Sequence, residues 1–187
     1  TMNYAKQKGM LIVVSAGNSA ADFDHDGNAF NTYCDAVHVI CVSSVGPVVA
    51  NGNGDIPSYY TNFGRSAITV AAPGGNAGTT LSAWPWGTDN VSWVWSYCPK
   101  YRVAGLTVAG VPVLTACSAG NRLTGYIGTS QASPHVAGLA ALIMAEYGSS
   151  AVQTKHRITA SAVDGGAQGT DPYFGRGRMD VARALGL

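Results

Sequence analysis

Residues 128–138 read Gly-Thr-Ser-Gln-Ala-Ser-Pro-His-Val-Ala-Gly, which begins as a glycine-bounded turn. It runs into residues 139–145, which are apolar on every face and predict a helix buried in a sizeable domain. Pro134 suits the first turn of such a helix, and Gly148 suits its end. Ser130 is therefore expected at the start of a buried helix, where unpaired N–H groups and the helix dipole favour negative charge.

Ser130 has two interpretations. Serine at a helix start is most often an N-cap, but a serine that becomes an alkoxide gains from the same position. The length of the match favours the second, because G-T-S-x-A-S-P-H-V-A-G resembles the nucleophile segment of the subtilisin-like serine proteases. The resemblance implies that Ser130 is the nucleophile and that His135 has a structural role. Gln131 departs from the family, which usually carries methionine there.

A second segment, Met10–Asn18, is an apolar run of strand length that ends in Gly-Asn. Gly-Asn is a common turn dipeptide, so an ordinary strand exit is one interpretation. The run V-V-S-A-G-N also resembles the subtilase segment whose asparagine belongs to the oxyanion hole. The resemblance implies that Asn18 and the Ser130 N–H hold the oxyanion. It further implies that one wall of the specificity pocket is formed by Ser15, Ala16 and Gly17.

The order of elements predicts an α/β fold. Residues 1–8 predict the end of a helix that feeds the first strand through Gly9, which is a crossover from the middle of a parallel sheet. Further strands are expected in residues 36–45 and 68–74. The resemblance implies a three-layer subtilisin-like fold with a mostly parallel sheet and a buried central helix. Residues 1–187 are then the C-terminal part of one catalytic domain, with an insertion at about 75–127.

Composition limits the class of protein. Apolar residues make up 47% of the chain and charged residues 11%, with 24 glycines, which is typical of one compact, loop-rich domain. A formal charge of +1 predicts neither a nucleic-acid nor an anionic membrane partner. No apolar run approaches the ~20 residues that span a bilayer.

Three carboxylates, at Asp22, Asp24 and Asp26, alternate before a glycine, as in the first part of a calcium-binding loop. The twelfth position of such a loop is Tyr33 rather than glutamate, so this is not an EF-hand. Either a structural calcium or a solvated acidic turn fits the pattern. Subtilases often carry calcium, but their bond-breaking chemistry needs no cofactor.

The four cysteines show no C-x-x-C spacing and predict two disulfides and an oxidising compartment. Three pairings are open, and sequence proximity favours Cys34–Cys41 with Cys98–Cys117. The insertion also holds Trp84, Trp86, Trp93 and Trp95. These tryptophans either form the small core of a hairpin or line the substrate cleft.

The family's catalytic aspartate and histidine lie in D-T/S-G and H-G-T-H motifs, and neither motif occurs here. We therefore expect a secreted serine endopeptidase that cleaves protein or peptide substrates, with its base and orienting residue in a missing N-terminal half. The alternative is an inactive relative that binds peptides or has a structural role. Retention of both Ser130 and Asn18 favours the enzyme.

Overall fold

The computed structural model describes residues 1–25, 33–36, 38–47, 53–76, 93–98, 107–108, 111–112 and 122–187. Helix α1 (Met2–Gln7) leads through Gly9 into strand β1 (Ile12–Ser15). Strands β2 (Val39–Val45) and β3 (Val70–Pro73) pair with it in a parallel sheet of order β1-β2-β3. The predicted parallel α/β fold is confirmed.

Two short antiparallel ribbons lie in the insertion. Strand β4 (Val94–Cys98) pairs with β7 (Arg122–Tyr126), and β5 (Thr107–Val108) pairs with β6 (Val111–Pro112). Trp95 faces Gly125 across the first ribbon and is half exposed. Trp84, Trp86 and Cys117 lie outside the described residues, so the role of the tryptophans and the Cys98–Cys117 bridge stay predictions.

Helix α2 (Thr129–Tyr147) crosses the sheet and packs on all three strands. Its inner face buries Val136, Leu139 and Ile143 in the main core, together with Ile40 and Val70 from the sheet. The helix ends at Gly148, whose backbone is left-handed (φ 60°), as the sequence predicts.

Two short helices complete the described fold. Helix α3 (Ala151–Ser161) starts with a capping box in which Ser150 and Gln153 bond each other's backbone N–H groups. Helix α4 (Val181–Leu185) follows Asp180, whose carboxylate accepts from the Arg183 N–H. Helix α3 packs against both α2 and α4.

Two expectations about α2 need correction. The helix begins at Thr129, so Pro134 lies in its second turn rather than its first, and the Ser130 carbonyl lacks the N–H donor that the helix would otherwise supply. The apolar run is also buried on one side only. The opposite side exposes Pro134, Ala137, Gly138, Ala141, Leu142 and Ala145.

Strand β1 is an edge of its sheet, and its four residues are only partly buried, whereas every residue of β2 is buried. The predicted Cys34–Cys41 disulfide is confirmed, with the two Cα atoms 5.1 Å apart. It joins the start of β2 to the preceding loop. Within the described part of the chain, no helix has both the length and the apolarity needed to cross a bilayer.

Candidate active site

The candidate site lies at the carboxyl edge of the parallel sheet. Strand β1 ends there at Ser15 and leads into Gly17 and Asn18, and β3 is followed by Gly74. The turn before α2 meets this edge, because the Gly128 N–H donates to the Gly74 carbonyl over 2.9 Å. Gly74 has no room for a side chain, since a Cβ would lie 2.2 Å from Ser44 Oγ and 2.6 Å from the Gly128 carbonyl oxygen.

Thr129 joins the two predicted catalytic segments. Its hydroxyl accepts from the Gly17 N–H over 3.0 Å and donates to Asn18 Oδ1 over 2.8 Å. Its own N–H donates to the same Asn18 oxygen over 2.9 Å. Thr129 is fully buried, so these bonds are shielded from water. The oxygen end of the Asn18 amide is thereby fixed.

Ser130 and Asn18 are both exposed and are brought together through Thr129. Ser130 is the second residue of α2, where the helix dipole favours negative charge. A Cβ placed on Gly128 would lie 3.4 Å from Asn18 Nδ2 and 2.8 Å from Gln131 Oε1. The two side-chain amides therefore flank the turn that precedes Ser130.

The three predicted pocket residues are Ser15, the last residue of β1, and the two residues that follow it, Ala16 and Gly17. Ala16 is fully buried, its N–H donates to the Val42 carbonyl, and its own carbonyl accepts from Asn62 Nδ2. The Gly17 N–H is bonded to Thr129, and the Gly17 carbonyl accepts from the Asn62 N–H. Since these backbone groups are already paired, Ala16 and Gly17 can offer a ligand shape rather than hydrogen bonds. Ser15 is partly buried.

Asn62 is a supporting residue that the sequence did not single out. Its Oδ1 accepts from the N–H groups of Ser19 (2.8 Å) and Ala21 (3.0 Å), and its Nδ2 donates to the Ala16 carbonyl (2.9 Å). One side chain thus holds both ends of the loop that carries Asn18. Gly17 must be glycine beneath it, because its φ is 103° and a Cβ would lie 2.5 Å from Asn62 Nδ2.

A buried hydroxyl network supports the other side of the site. Ser44 Oγ lies 2.8 Å from both Ser58 Oγ and the Tyr60 hydroxyl, and Tyr60 donates to the carbonyls of Gly74 (3.0 Å) and Gly75 (2.7 Å). Burial raises the pKa of the Tyr60 phenol, which keeps it a donor. The only sequence signal for this network is a run of polar residues, 58–62, between apolar segments.

The carboxylates of the acidic loop are occupied by hydrogen-bond donors. Asp22 accepts from the Asp24 N–H and contacts His25 Nδ1 at 2.8 Å, while Asp24 accepts from Ser66 Oγ and from the N–H groups of Arg65 and Ser66. The pKa of Asp22 is lowered chiefly by its hydrogen bond with His25. The pKa of Asp24 is lowered chiefly by its hydrogen bond with Ser66.

The two carboxylates therefore fit a hydrogen-bonded turn, because donor hydrogens occupy the positions that a cation would take. Among the described residues, no group of three or more His, Cys, Asp or Glu side chains is placed to hold a metal ion. Asp26, the third predicted ligand, lies outside them. The calcium site stays a prediction.

Three of the four histidines have partners away from Ser130, and the fourth lies on α3. Nδ1 of His135 lies 2.8 Å from the Gln131 carbonyl one turn back on α2, His25 pairs with Asp22, and His38 contacts Lys6. His156 lies on α3, beside Gln153 and Arg157. None of these contacts places an imidazole on Ser130.

A parallel sheet with an asparagine amide at its carboxyl edge, beside a serine at a helix start, is an arrangement found among serine hydrolases with an α/β fold. The chain belongs to the Subtilase family, whose model matches residues 1–177. It is 28% identical over 184 residues to Thermitase of Thermoactinomyces vulgaris, an alignment that covers 98% of this chain and 47% of the relative. It is 29% identical over 188 residues to a "Calcium-dependent protease" of Nostoc sp., with 96% of this chain and 25% of the relative covered.

Among solved structures, a lanthipeptide protease superposes with a TM-score of 0.74 at 28% identity. The superposition covers 98% of this chain and 52% of the other. The chain thus spans about half the length of Thermitase and of this structure. Family membership supports a peptidase function, and the assignment of individual residues is taken up below.

Proposed function

We propose that the chain is the nucleophile-bearing part of a serine endopeptidase. The observation that carries the proposal is the anchoring of Asn18, since Thr129 holds the amide oxygen through two hydrogen bonds. Within the described residues, no acceptor is hydrogen-bonded to Asn18 Nδ2, so this nitrogen can donate to a charge that develops in front of Ser130. Because Asn18 is exposed, this nitrogen is accessible to a substrate.

In the proposed reaction, the Ser130 hydroxyl gives its proton to a general base while its oxygen bonds to the peptide carbonyl carbon. Asn18 Nδ2 and the Ser130 N–H donate to the resulting oxyanion. The C–N bond then breaks, the amine leaves with the proton from the base, and water hydrolyses the acyl-enzyme. Ser15, Ala16 and Gly17 form a wall beside the side chain of the substrate.

The base and its orienting residue are proposed to lie in a preceding part of the same domain. His25, His38 and His135 are bonded elsewhere, and His156 lies on α3. Two surfaces of the described fold are left uncovered by its other elements: the open edge of β1 and the exposed apolar side of α2. The reading frame upstream of Thr1 tests this. D-T/S-G followed by H-G-T-H supports the proposal, and other residues at those positions would leave a peptide-binding relative.

Secretion is proposed from the chemistry of the chain. The Cys34–Cys41 disulfide persists in an oxidising compartment, which for an endopeptidase is the outside of the cell. Calcium is proposed as structural only, and the reaction above needs no cofactor. A rise in melting temperature with calcium, lost in Asp22→Asn, would support a cation at the acidic loop. An unchanged melting temperature would leave the hydrogen-bonded turn as its sole role.

The function is tested on the product of the reading frame that contains this chain. Ser130→Ala should reduce peptide hydrolysis to background, and Ser133→Ala, a matched substitution one turn along α2, should retain activity. Asn18→Leu should lower kcat by about 10²–10³ with little change in KM, a magnitude taken over from oxyanion donors of this same family. Full activity in Ser130→Ala would overturn the proposal.

A further inference from the structure

Three basic side chains lie close together at the amino ends of the parallel strands, at the opposite end of the sheet from Asn18. Lys6 on α1 brings its Nζ within 2.6 Å of His38 Nε2. His38 directly precedes Val39, the first residue of β2, and Lys155 on α3 donates from its Nζ to the Val39 carbonyl over 2.7 Å. Helices on two sides thus deliver ammonium groups to one imidazole.

Within the described part of the chain, no carboxylate forms an ion pair with this cluster. Burial, and then the positive charges of Lys6 and Lys155, lower the pKa of His38, and burial lowers the pKa of Lys155. Every ion pair within the described residues involves other cations, namely His25, Arg178 and Arg183. Lys6 therefore donates to a neutral imidazole, and protonation of His38 would place three positive charges together.

The space beside the cluster suits a small polar ligand. Asn3, Lys6, Gln7 and His38 line an open depression of about 340 Å³. Asn3 lies one turn before Lys6 and Gln7 on α1, so the side-chain amides add neutral donors on the same side as the ammonium group. Among the described residues, each side chain of this lining carries a nitrogen that can donate a hydrogen bond.

We propose that Lys6, His38 and Lys155 form a binding site for a tetrahedral oxyanion, phosphate or sulfate, which is taken up together with a proton on His38. Two oxygens of the anion can accept from Lys6 and from protonated His38, while Lys155 contributes charge from behind. The site is distinct from the region of Ser130. It lies at the amino ends of the parallel strands, where β2 begins, whereas Asn18 follows the carboxyl end of β1. It does not depend on the proposed peptidase function.

The test is a pH titration of the histidine ring protons by NMR, in phosphate, in sulfate and in chloride at matched ionic strength. Binding and protonation are linked, so each oxyanion should raise the pKa of His38 above its value in chloride, by about 0.5 unit or more. A rise in only one of them would identify that anion as the ligand. His25, which faces Asp22 and Asp24, serves as the internal reference and should titrate identically in all three salts.

Two variants separate binding from screening. Lys6→Ala should raise the pKa of His38 in chloride, because a repelling charge is gone, yet abolish most of the further rise in phosphate. Lys8→Ala is the matched control, since Lys8 lies over the Tyr4 ring and outside the cluster. Equal His38 titrations in chloride and in both oxyanions, or equal effects of the two variants, would overturn the proposal.

Discussion

Asn62→Ala tests how the Asn18 loop is held in place. The side chain of Asn62 is 7% exposed, and its loss removes one hydrogen bond to the Ala16 carbonyl and one each to the N–H groups of Ser19 and Ala21. The lost bond to the buried Ala16 carbonyl should lower the free energy of unfolding by about 1–3 kcal/mol, and the lost bond to the half-buried Ala21 N–H by about 1 kcal/mol. The lost bond to the exposed Ser19 N–H costs little, because water replaces its partner. The expected loss in the free energy of unfolding is about 3 kcal/mol.

Urea denaturation followed by circular dichroism measures this loss. Asn53→Ala is the matched control, since Asn53 Oδ1 also accepts a backbone N–H, that of Asp55, but in an exposed turn. Its cost should stay near 0.5 kcal/mol. If the two variants unfold at the same urea concentration, the three hydrogen bonds of the Asn62 side chain do not stabilise the loop that carries Asn18.

Three other changes probe separate parts of the fold. Tyr60→Phe should cost about 1–2 kcal/mol at neutral pH. The pKa of Tyr60 is raised in the folded state, so the stability that its phenol contributes is present below about pH 10 and is lost as pH rises through the folded-state pKa. Tyr60→Phe should therefore lose less stability in alkali than the unmodified chain, as a pH series of melting curves would show. Replacing Cys34 and Cys41 together by alanine removes a disulfide of sequence separation 7 and should lower the free energy of chemical unfolding by about 2–3 kcal/mol. No loss would mean that this loop is already closed in the denatured state. Gly138→Ala meets no atom within 4 Å of the new Cβ and should stabilise this chain by about 1 kcal/mol in thermal unfolding; a clear loss would mean that this side of α2 is covered.

Much of the fold follows from local patterns in the sequence. The apolar runs gave the three parallel strands, Gly9 and Gly148 marked helix ends, and proximity identified the Cys34–Cys41 pair. The start of α2 was placed too late because Pro134 suits a first turn. A proline in the second turn is tolerated here, since the carbonyl that loses its donor belongs to Ser130, at the exposed end of the helix.

The support of the site was less predictable. The residues that hold Asn18 are Thr129, 111 positions further along the chain, and Asn62, which bonds Ala16 from 46 positions away. Threonine and asparagine are common in turns, so neither residue type signals a buried partner in advance. The exposed side of α2 could not be recognised from hydropathy either, because its alanines, Gly138 and Leu142 are as apolar as the buried side.

Covalent labelling of Ser130 tests directly whether this serine is the nucleophile. The product of the reading frame that contains this chain is treated with a fluorophosphonate, digested, and mapped by mass spectrometry. A serine nucleophile beside oxyanion donors reacts, so the label should appear on the peptide that contains Ser130, be absent from Ser130→Ala, and fall sharply in Asn18→Leu. Absence of the label from a folded product whose upstream sequence carries the D-T/S-G and H-G-T-H motifs would contradict the assignment of Ser130 as the nucleophile.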